Sequence, residues 1–268
     1  MRPIFATFIT LLLSVSQAAA SKPDAFGCGN SAISVGITNS GVMYNKGQGI
    51  DPDLLNLLSD ITGCQFTLTP IMRNEAFDLL EQGKIDWVPS VGREPSRELF
   101  AWFIPYYDIR FLLLANTDRL PVITSLQQLK SLKNVTVARA QGGGYGYYFN
   151  YYLSEMASLG MIKLYPDYEA SVAALLNDEV DATLSLPQVY RSFFTQGEEP
   201  SSIRITDVSP TKPVTVSFML AKHRFSSSQS TNWLRIIEQI RLDGRFQEIV
   251  ENYVSKDEAA SMLGNTEY

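Results

Sequence analysis

Three consecutive glycines, Gly142, Gly143 and Gly144, stand between the apolar run "NVTVARA" (134–140) and the tyrosine-rich run "YGYYFNYYL" (145–153). Glycines at a strand end let the backbone approach a ligand closely, and the helix that follows offers free N–H groups to an anion. A phosphate loop would need Lys-Ser or Lys-Thr after the glycines. A dinucleotide fingerprint would need a glycine three residues past Gly144. Neither is present. What remains is a grip on a small anionic or polar group through backbone N–H donors, with Tyr145 as the nearest side chain. The parts for chemistry beyond binding are missing. The sequence holds one histidine, His223, and no Cys/His/Asp cluster with metal-ligand spacing. Nor does it hold a nucleophile–base pair. The expectation is no metal, no cofactor and no enzyme activity.

These glycines need a scaffold, and the hydrophobic periodicity supplies one. Strand-like runs at 31–38, 64–71 and 84–92 alternate with helical runs at 51–63 and 74–83. This β-α-β-α-β order predicts a mostly parallel sheet with helices on its faces. The pattern recurs after residue 134, with strands at 134–140, 161–166 and 180–186 and helices at 147–160 and 168–179. "LLEQGKIDWVPS" (79–90) and "LLNDEVDATLS" (175–185) both run from helix end through an acidic turn into a strand. Two similar α/β lobes are therefore expected. Apolar extended runs at 106–121 and 212–223 read as two crossing strands, which form a hinge between lobes that close on a ligand. The lobes are predicted as 21–110 plus 218–268, and 111–217. A helical run at 230–254 should break at Gly244. Asp51, Asp53, Asp86 and Asp181, at helix starts and strand entries, read as capping or turn groups. Tyr44, Trp102, Tyr107 and Tyr145 are candidates for an aromatic cleft wall.

The first 20 residues, "MRPIFATFITLLLSVSQAAA", combine an early arginine, a short apolar stretch and a small-residue end. That is the layout of a cleaved secretory signal, and the apolar stretch is too short for a convincing membrane span. The remaining chain, about 248 residues, is long enough for two modest cores. Its formal charge of −6 for the full chain, without a basic cluster, argues against nucleic acid as a partner. Cys28 and Cys64 are the only cysteines. In an exported chain such a pair reads as a disulfide contributing roughly 3–4 kcal/mol, the alternative being two buried thiols.

Taken in order, "GIDPDLLNLLSDITGCQF", "LLEQGKIDWVPSVGREPSRELFAWFIPYY", "VTVARAQGGGYG", "LLNDEVDATLS" and "IRLDGRFQEIVENYV" resemble the extracellular solute-binding proteins of family 3, the amino-acid-type periplasmic receptors of ABC importers. The resemblance spans nearly the whole chain after the signal. It implies a Venus-flytrap fold with ligand in the cleft, a periplasmic location, a monomer, and an inner-membrane ABC permease as partner. It places Arg97 where the family grips a ligand carboxylate, which suits a guanidinium fork. Ser90, Gly92 and Glu94 fall where the family carries hydroxyls, and only Ser90 keeps one. Arg73 falls at a side-chain-contacting position, and Arg93 and Arg139 lie beside the two binding loops. Gly142–Gly144 fall on the second-lobe loop. The family's ammonium-binding aspartate falls near Leu186. The ligand expected is a small polar solute, anionic or amino-acid-like, with Glu94 either pairing with an arginine or receiving a cationic group. Two other outputs fit the same fold: a sensory receptor for a membrane signalling protein, and a prephenate-type dehydratase.

Overall fold

The computed structural model describes residues 24–29, 31–73, 75–141, 144–194 and 198–264. The predicted signal, and Gly142 and Gly143, lie outside the described residues. The first lobe is built from β1 (Ile33–Ile37), α1 (Ile50–Thr62), β2 (Phe66–Pro70), α2 (Ala76–Glu81), β3 (Trp87–Gly92) and β4 (Ala101–Ile109). The chain then enters the second lobe through β5 (Leu112–Asn116). There follow α3 (Leu126–Ser131), β6 (Val137–Ala140), α4 (Gly146–Ser158), β7 (Ile162–Tyr165), α5 (Tyr168–Leu176), β8 (Ala182–Ser185), α6 (Pro187–Tyr190) and β9 (Ile203–Thr206). The chain returns to the first lobe with β10 (Val214–Ala221), α7 (Ser227–Leu242), α8 (Arg245–Glu251) and α9 (Lys256–Leu263).

Two five-stranded sheets result, ordered β2-β1-β3-β10-β4 and β7-β6-β8-β5-β9. The expected parallel pairing holds between β1 and its neighbours β2 and β3, and between β6 and its neighbours β7 and β8. The sheets are nevertheless mixed, because the crossing strands enter antiparallel. β10 runs antiparallel to β3 and β4, and β5 to β8 and β9. The chain changes sheet between Ile109 and Leu112 and again between Thr206 and Val214. At these crossings Arg110 pairs with Asp207 and donates to the Thr211 carbonyl at 2.6 Å. Thr215 Oγ1 donates to Asp108 Oδ1 at 2.6 Å.

Each lobe has its own apolar core, as its sequence pattern requires. In the first, Trp87, Phe218, Phe225 and Trp233 are fully buried. The Trp87 and Trp233 rings meet edge-on at 4.8 Å. In the second, Leu113, Leu114, Val137, Leu153, Val172 and Leu184 are buried together. Each such side chain contributes about 1.5–3 kcal/mol on burial. α7 starts on a Ser226–Gln229 capping box and stops before Gly244, whose φ of +85° breaks the run where the sequence placed the break. Cys28 and Cys64 form the expected disulfide, with Cα atoms 5.4 Å apart, and the bridge fastens the N-terminal segment beyond the C-terminus of α1. The similar acidic turns also act alike. Asp86 accepts the Ser34 N–H at 2.8 Å, and Asp181 accepts the Thr136 N–H at 2.7 Å. Each thus ties its strand entry to the neighbouring parallel strand. Among the described residues no helix is long and apolar enough to cross a membrane.

Candidate functional site

The first-lobe side of the candidate cleft is organised by a buried polar cluster. Asp51 sits one residue into α1, not at its N-cap, which is Gly49. The capping role expected for it gives way to another one. Its side chain is 1% exposed and accepts the Tyr106 hydroxyl at 2.8 Å. The Ser90 N–H donates to Tyr106 Oη at 3.0 Å, and Ser90 Oγ lies 3.0 Å from both Tyr106 Oη and Tyr107 Oη. Ser90 adopts a left-handed φ of +58°, which a non-glycine residue holds only when its surroundings fix it. Burial pushes the Asp51 carboxyl up to about 7, against the Tyr106 hydroxyl, the Arg73 charge and the Ser90 hydroxyl, all of which favour the anion. Burial likewise raises Tyr106 and Tyr107.

The arginines divide into two kinds. Arg97 Nη2 pairs with Glu94 at 3.1 Å, and its Nη1 donates to the Gly92 carbonyl at 3.4 Å. Its guanidinium carbon lies 3.7 Å from the centroid of the Phe77 ring, a stacked contact. Arg93 pairs with Glu98 at 2.6 Å on the exposed surface. By contrast Arg73 is exposed, forms no ion pair among the described residues, and donates from Nη1 to the Pro89 carbonyl at 3.3 Å. Arg139, in β6, donates to Asn150 Oδ1 at 3.4 Å.

On the second lobe, Tyr168 opens α5 and packs on Phe111 and Tyr145. Burial raises its hydroxyl pKa, while the Gly144 N–H and the Arg73 guanidinium oppose the rise, so Arg73 acts on both lobes. Glu169, also raised by burial, accepts its own N–H and that of Gly41 in the first lobe. The loop after β1 reaches the same region. Val42 N–H donates to the Gln188 carbonyl of α6 at 2.7 Å. Gly41, at φ +58°, lies so close that an added Cβ would stand 1.9 Å from that carbonyl oxygen. A second bridge joins the lobes at α9. Arg191, with a side chain 4% exposed, donates from Nε to both Glu258 oxygens at 2.7 and 3.0 Å, and also pairs with Glu199. The Tyr190 hydroxyl donates to the same Glu258.

Several aromatic candidates are spoken for. Tyr145 is 2% exposed, and its hydroxyl accepts the Ala140 N–H at 2.8 Å. Its ring packs on Phe111 and Tyr168. Tyr44 is 5% exposed, and its carbonyl closes the turn from Ser40. Trp102 donates its indole N–H to the Phe225 carbonyl at 2.8 Å. Tyr107 joins the Ser90 cluster. The structure therefore gathers Arg73, Ser90, Tyr107 and the Gly144 N–H about the lobe junction. It holds Arg93, Tyr44, Trp102 and Tyr145 in other contacts. Asp51, Tyr106 and Tyr168 stand with this group, although the sequence offered none of them as a ligand contact. The only sequence signal for the first two was an aspartate at a helix start and a tyrosine pair in a crossing strand. No group of three or more potential metal ligands occurs among the described residues.

The sequence model of the bacterial extracellular solute-binding proteins, family 3, matches residues 33–256. Solved structures share the fold at low identity. The L-cystine solute receptor of Neisseria gonorrhoeae, in its unliganded open conformation, has 18% identity and a TM-score of 0.60, with 87% of this chain and 97% of that chain covered. A histidine kinase sensor domain with similarity to periplasmic binding proteins has 15% identity and a TM-score of 0.61, covering 83% and 95%. An ancestral amino-acid-binding protein, a precursor of cyclohexadienyl dehydratase, has 19% identity and a TM-score of 0.59, also covering 83% and 95%. No curated protein matches the sequence.

Proposed function

The chain belongs to the bacterial extracellular solute-binding proteins, family 3, and on that premise we propose that it captures a small polar solute, anionic or amino-acid-like, between its lobes in the periplasm and delivers it to an ABC importer. The observation that carries this reading is the opposition of unlike groups across two separately cored lobes. Arg73, beside the Ser90 cluster of the first, acts through its charge on Tyr168 of the second, whose hydroxyl also takes the Gly144 N–H. Polar groups that converge from two bodies joined by two crossing segments suit a ligand that both bodies must hold. The leader-like first 20 residues and the Cys28–Cys64 bridge support export. The amino-acid receptors among the solved neighbours support the size and polarity of the solute.

A calorimetric and thermal-shift screen of the purified protein against amino acids, organic acids and amines tests the reading. A bound solute should raise the melting temperature and, in small-angle scattering, reduce the radius of gyration. Failure of every small solute to bind would remove it. A second reading, a receptor for a membrane signalling protein, is favoured by the sensor-domain neighbour. Co-purification with a cognate permease separates it from transport. A third reading, a dehydratase, is supported by the cyclohexadienyl dehydratase precursor among the neighbours. Incubation with prephenate or arogenate and product analysis tests it directly.

A further inference from the structure

We propose that Arg191 and Glu258 form a releasable latch between the lobes, which holds the cleft closed on a solute and parts when the cleft opens. The inference goes beyond the solute-receptor reading and rests on it only for the effect on affinity. The two residues belong to different bodies. Tyr190, next to Arg191, lies in the second core with Val189 and Phe194, whereas Ala259, next to Glu258, lies in the first core with Met262. Arg191 Nε donates to both Glu258 oxygens, at 2.7 and 3.0 Å, and the Tyr190 hydroxyl donates to Glu258 Oε1. The Arg191 and Glu258 side chains are 4% and 13% exposed, so dissolved ions screen the pair little. The contact stands on the ligand side of the lobes. α6, which ends at Tyr190, follows the carboxyl end of β8, and the Gly41–Val42 loop that touches α6 follows the carboxyl end of β1. In open α/β sheets ligands bind outside those strand ends.

Each half of the latch also has a partner on its own lobe. Arg191 Nη2 pairs with Glu199, in the segment before β9. Glu258 Oε2 accepts the Ser255 N–H at 3.0 Å and the Ser255 hydroxyl at 2.9 Å, which closes the capping box of α9. Separation therefore leaves neither charge alone. The guanidinium keeps Glu199, and the carboxylate keeps Ser255. A buried ion pair without such reserves strands a charge when one partner withdraws, and so resists separation strongly. Arg224 and Asp86 make the contrast. Arg224 donates to Asp86 at 3.0 Å and to the Cys28 and Ser31 carbonyls, Asp86 accepts the Ser34 N–H, and all of these residues lie in the first lobe. That cluster has no motion to follow, whereas the Arg191 pair crosses the boundary along which hinged lobes move. The latch acts without touching the solute. It biases the equilibrium between closed and open lobes, and apparent affinity scales with the closed fraction.

Pulsed dipolar electron paramagnetic resonance on the full exported chain, with its disulfide intact, tests the latch without a ligand. Nitroxides attached at Leu159→Cys on the second lobe and Leu242→Cys on the first, both exposed positions, report the lobe separation. Glu258→Gln removes the charge and keeps the α9 capping box, which accepts glutamine at this place. Arg191→Lys removes the planar fork. Loss of a charged hydrogen-bonded contact corresponds to about tenfold or more in an equilibrium constant. We expect both variants to raise the ratio of open to closed distances about tenfold. Glu199→Gln, which removes the reserve partner, should leave that ratio unchanged or lower it. If Arg191→Lys does not fold, Glu258→Gln decides. A distance distribution that Glu258→Gln leaves unchanged overturns the inference. An equal shift from Glu199→Gln does the same, because it marks the cluster as a static bridge. Titration calorimetry with the twenty amino acids, pyruvate and succinate reads the link to solute capture. The tightest of these probes should bind Glu258→Gln with a raised Kd, and tighter binding overturns the assignment of the latch to the closed cleft. Binding of no probe removes the receptor reading, and the distances alone then decide the latch.

Discussion

Tyr106, in the strand that leaves the first lobe, donates its hydroxyl to Asp51, in the first turn of α1, over 2.8 Å. Fifty-five residues apart in sequence, they join the hinge side of the lobe to the start of its first helix. Ser90 locks both tyrosines of the pair from the end of β3. Anything that alters the charge on Asp51 should therefore be felt where the lobes meet.

Asp51 makes stability fall as pH rises. Its carboxyl titrates near 7 when folded and near 3.8 when free, so the folded state binds the proton more tightly. Stability from this group is full below about pH 3.8, declines between pH 4 and 7, and is lost above 7. Asp51→Asn keeps an acceptor for Tyr106 and removes the titration. The stability of Asp51→Asn minus that of wild type should rise through pH 4–7 by up to about 1.4 kcal/mol per unit and then level off. Chemical denaturation at several pH values checks this, and a difference that is flat with pH would contradict it.

Glu258 should act in the opposite sense. Burial would raise its carboxyl, but bonds from Arg191, Tyr190 and Ser255 hold it below the usual range. Its contribution is present above the ordinary glutamate value and is lost as pH falls through the lowered one. Glu258→Ala would leave the Arg191 guanidinium with a buried charge and without one of its two acidic partners. A loss of about 3 kcal/mol is expected. Glu258→Gln should cost less and flatten the acid limb of the stability curve.

Gly41→Ala should weaken the junction of the lobes. The new Cβ would collide with the Gln188 carbonyl, and the positive φ disfavours any L side chain. The Val42–Gln188 hydrogen bond should break, with a stability loss of about 1–3 kcal/mol. The radius of gyration of the ligand-free protein should increase in small-angle scattering. An unchanged profile would mean that the loop moves without the lobe.

Replacing both Cys28 and Cys64 by serine should lower stability by roughly 3–4 kcal/mol while leaving solute affinity within about twofold. The bridge lies beyond the far end of α1 from Asp51, a distance of roughly 20 Å along a 13-residue helix. Reduction that abolished binding at temperatures where the fold persists would place the bridge closer to the site's mechanics than this geometry allows.

Much of the scaffold was legible because it is local. Apolar residues at helical spacing in 51–63 dictate a helix that buries Leu54, Leu55 and Leu58. The shared acidic turns at Asp86 and Asp181 marked two lobes, and each aspartate does tie a strand entry to its neighbour. Less of the site was legible. Arg73 and Ser90 were named, but nothing in their spacing distinguished an exposed Arg73, without an ion pair among the described residues, from an Arg97 held by Glu94 and Phe77. Tyr145 and Tyr168 are both aromatic residues near the start of a helix. Their hydroxyls nevertheless meet different groups, one the Ala140 amide at the end of the preceding strand and the other the Gly144 N–H and the Arg73 charge.

Residues near in sequence thus determined the order of elements, the break at Gly244 and the division into two cores. Periodicity and backbone preference act over a few residues and need no partner to be named. Only the tertiary structure decided which charges are neutralised, that Asp51 is buried beneath Tyr106, and that Gly41 and Arg191 bridge the lobes. Those outcomes depend on desolvation and on contacts between segments tens to hundreds of residues apart, which no local pattern encodes.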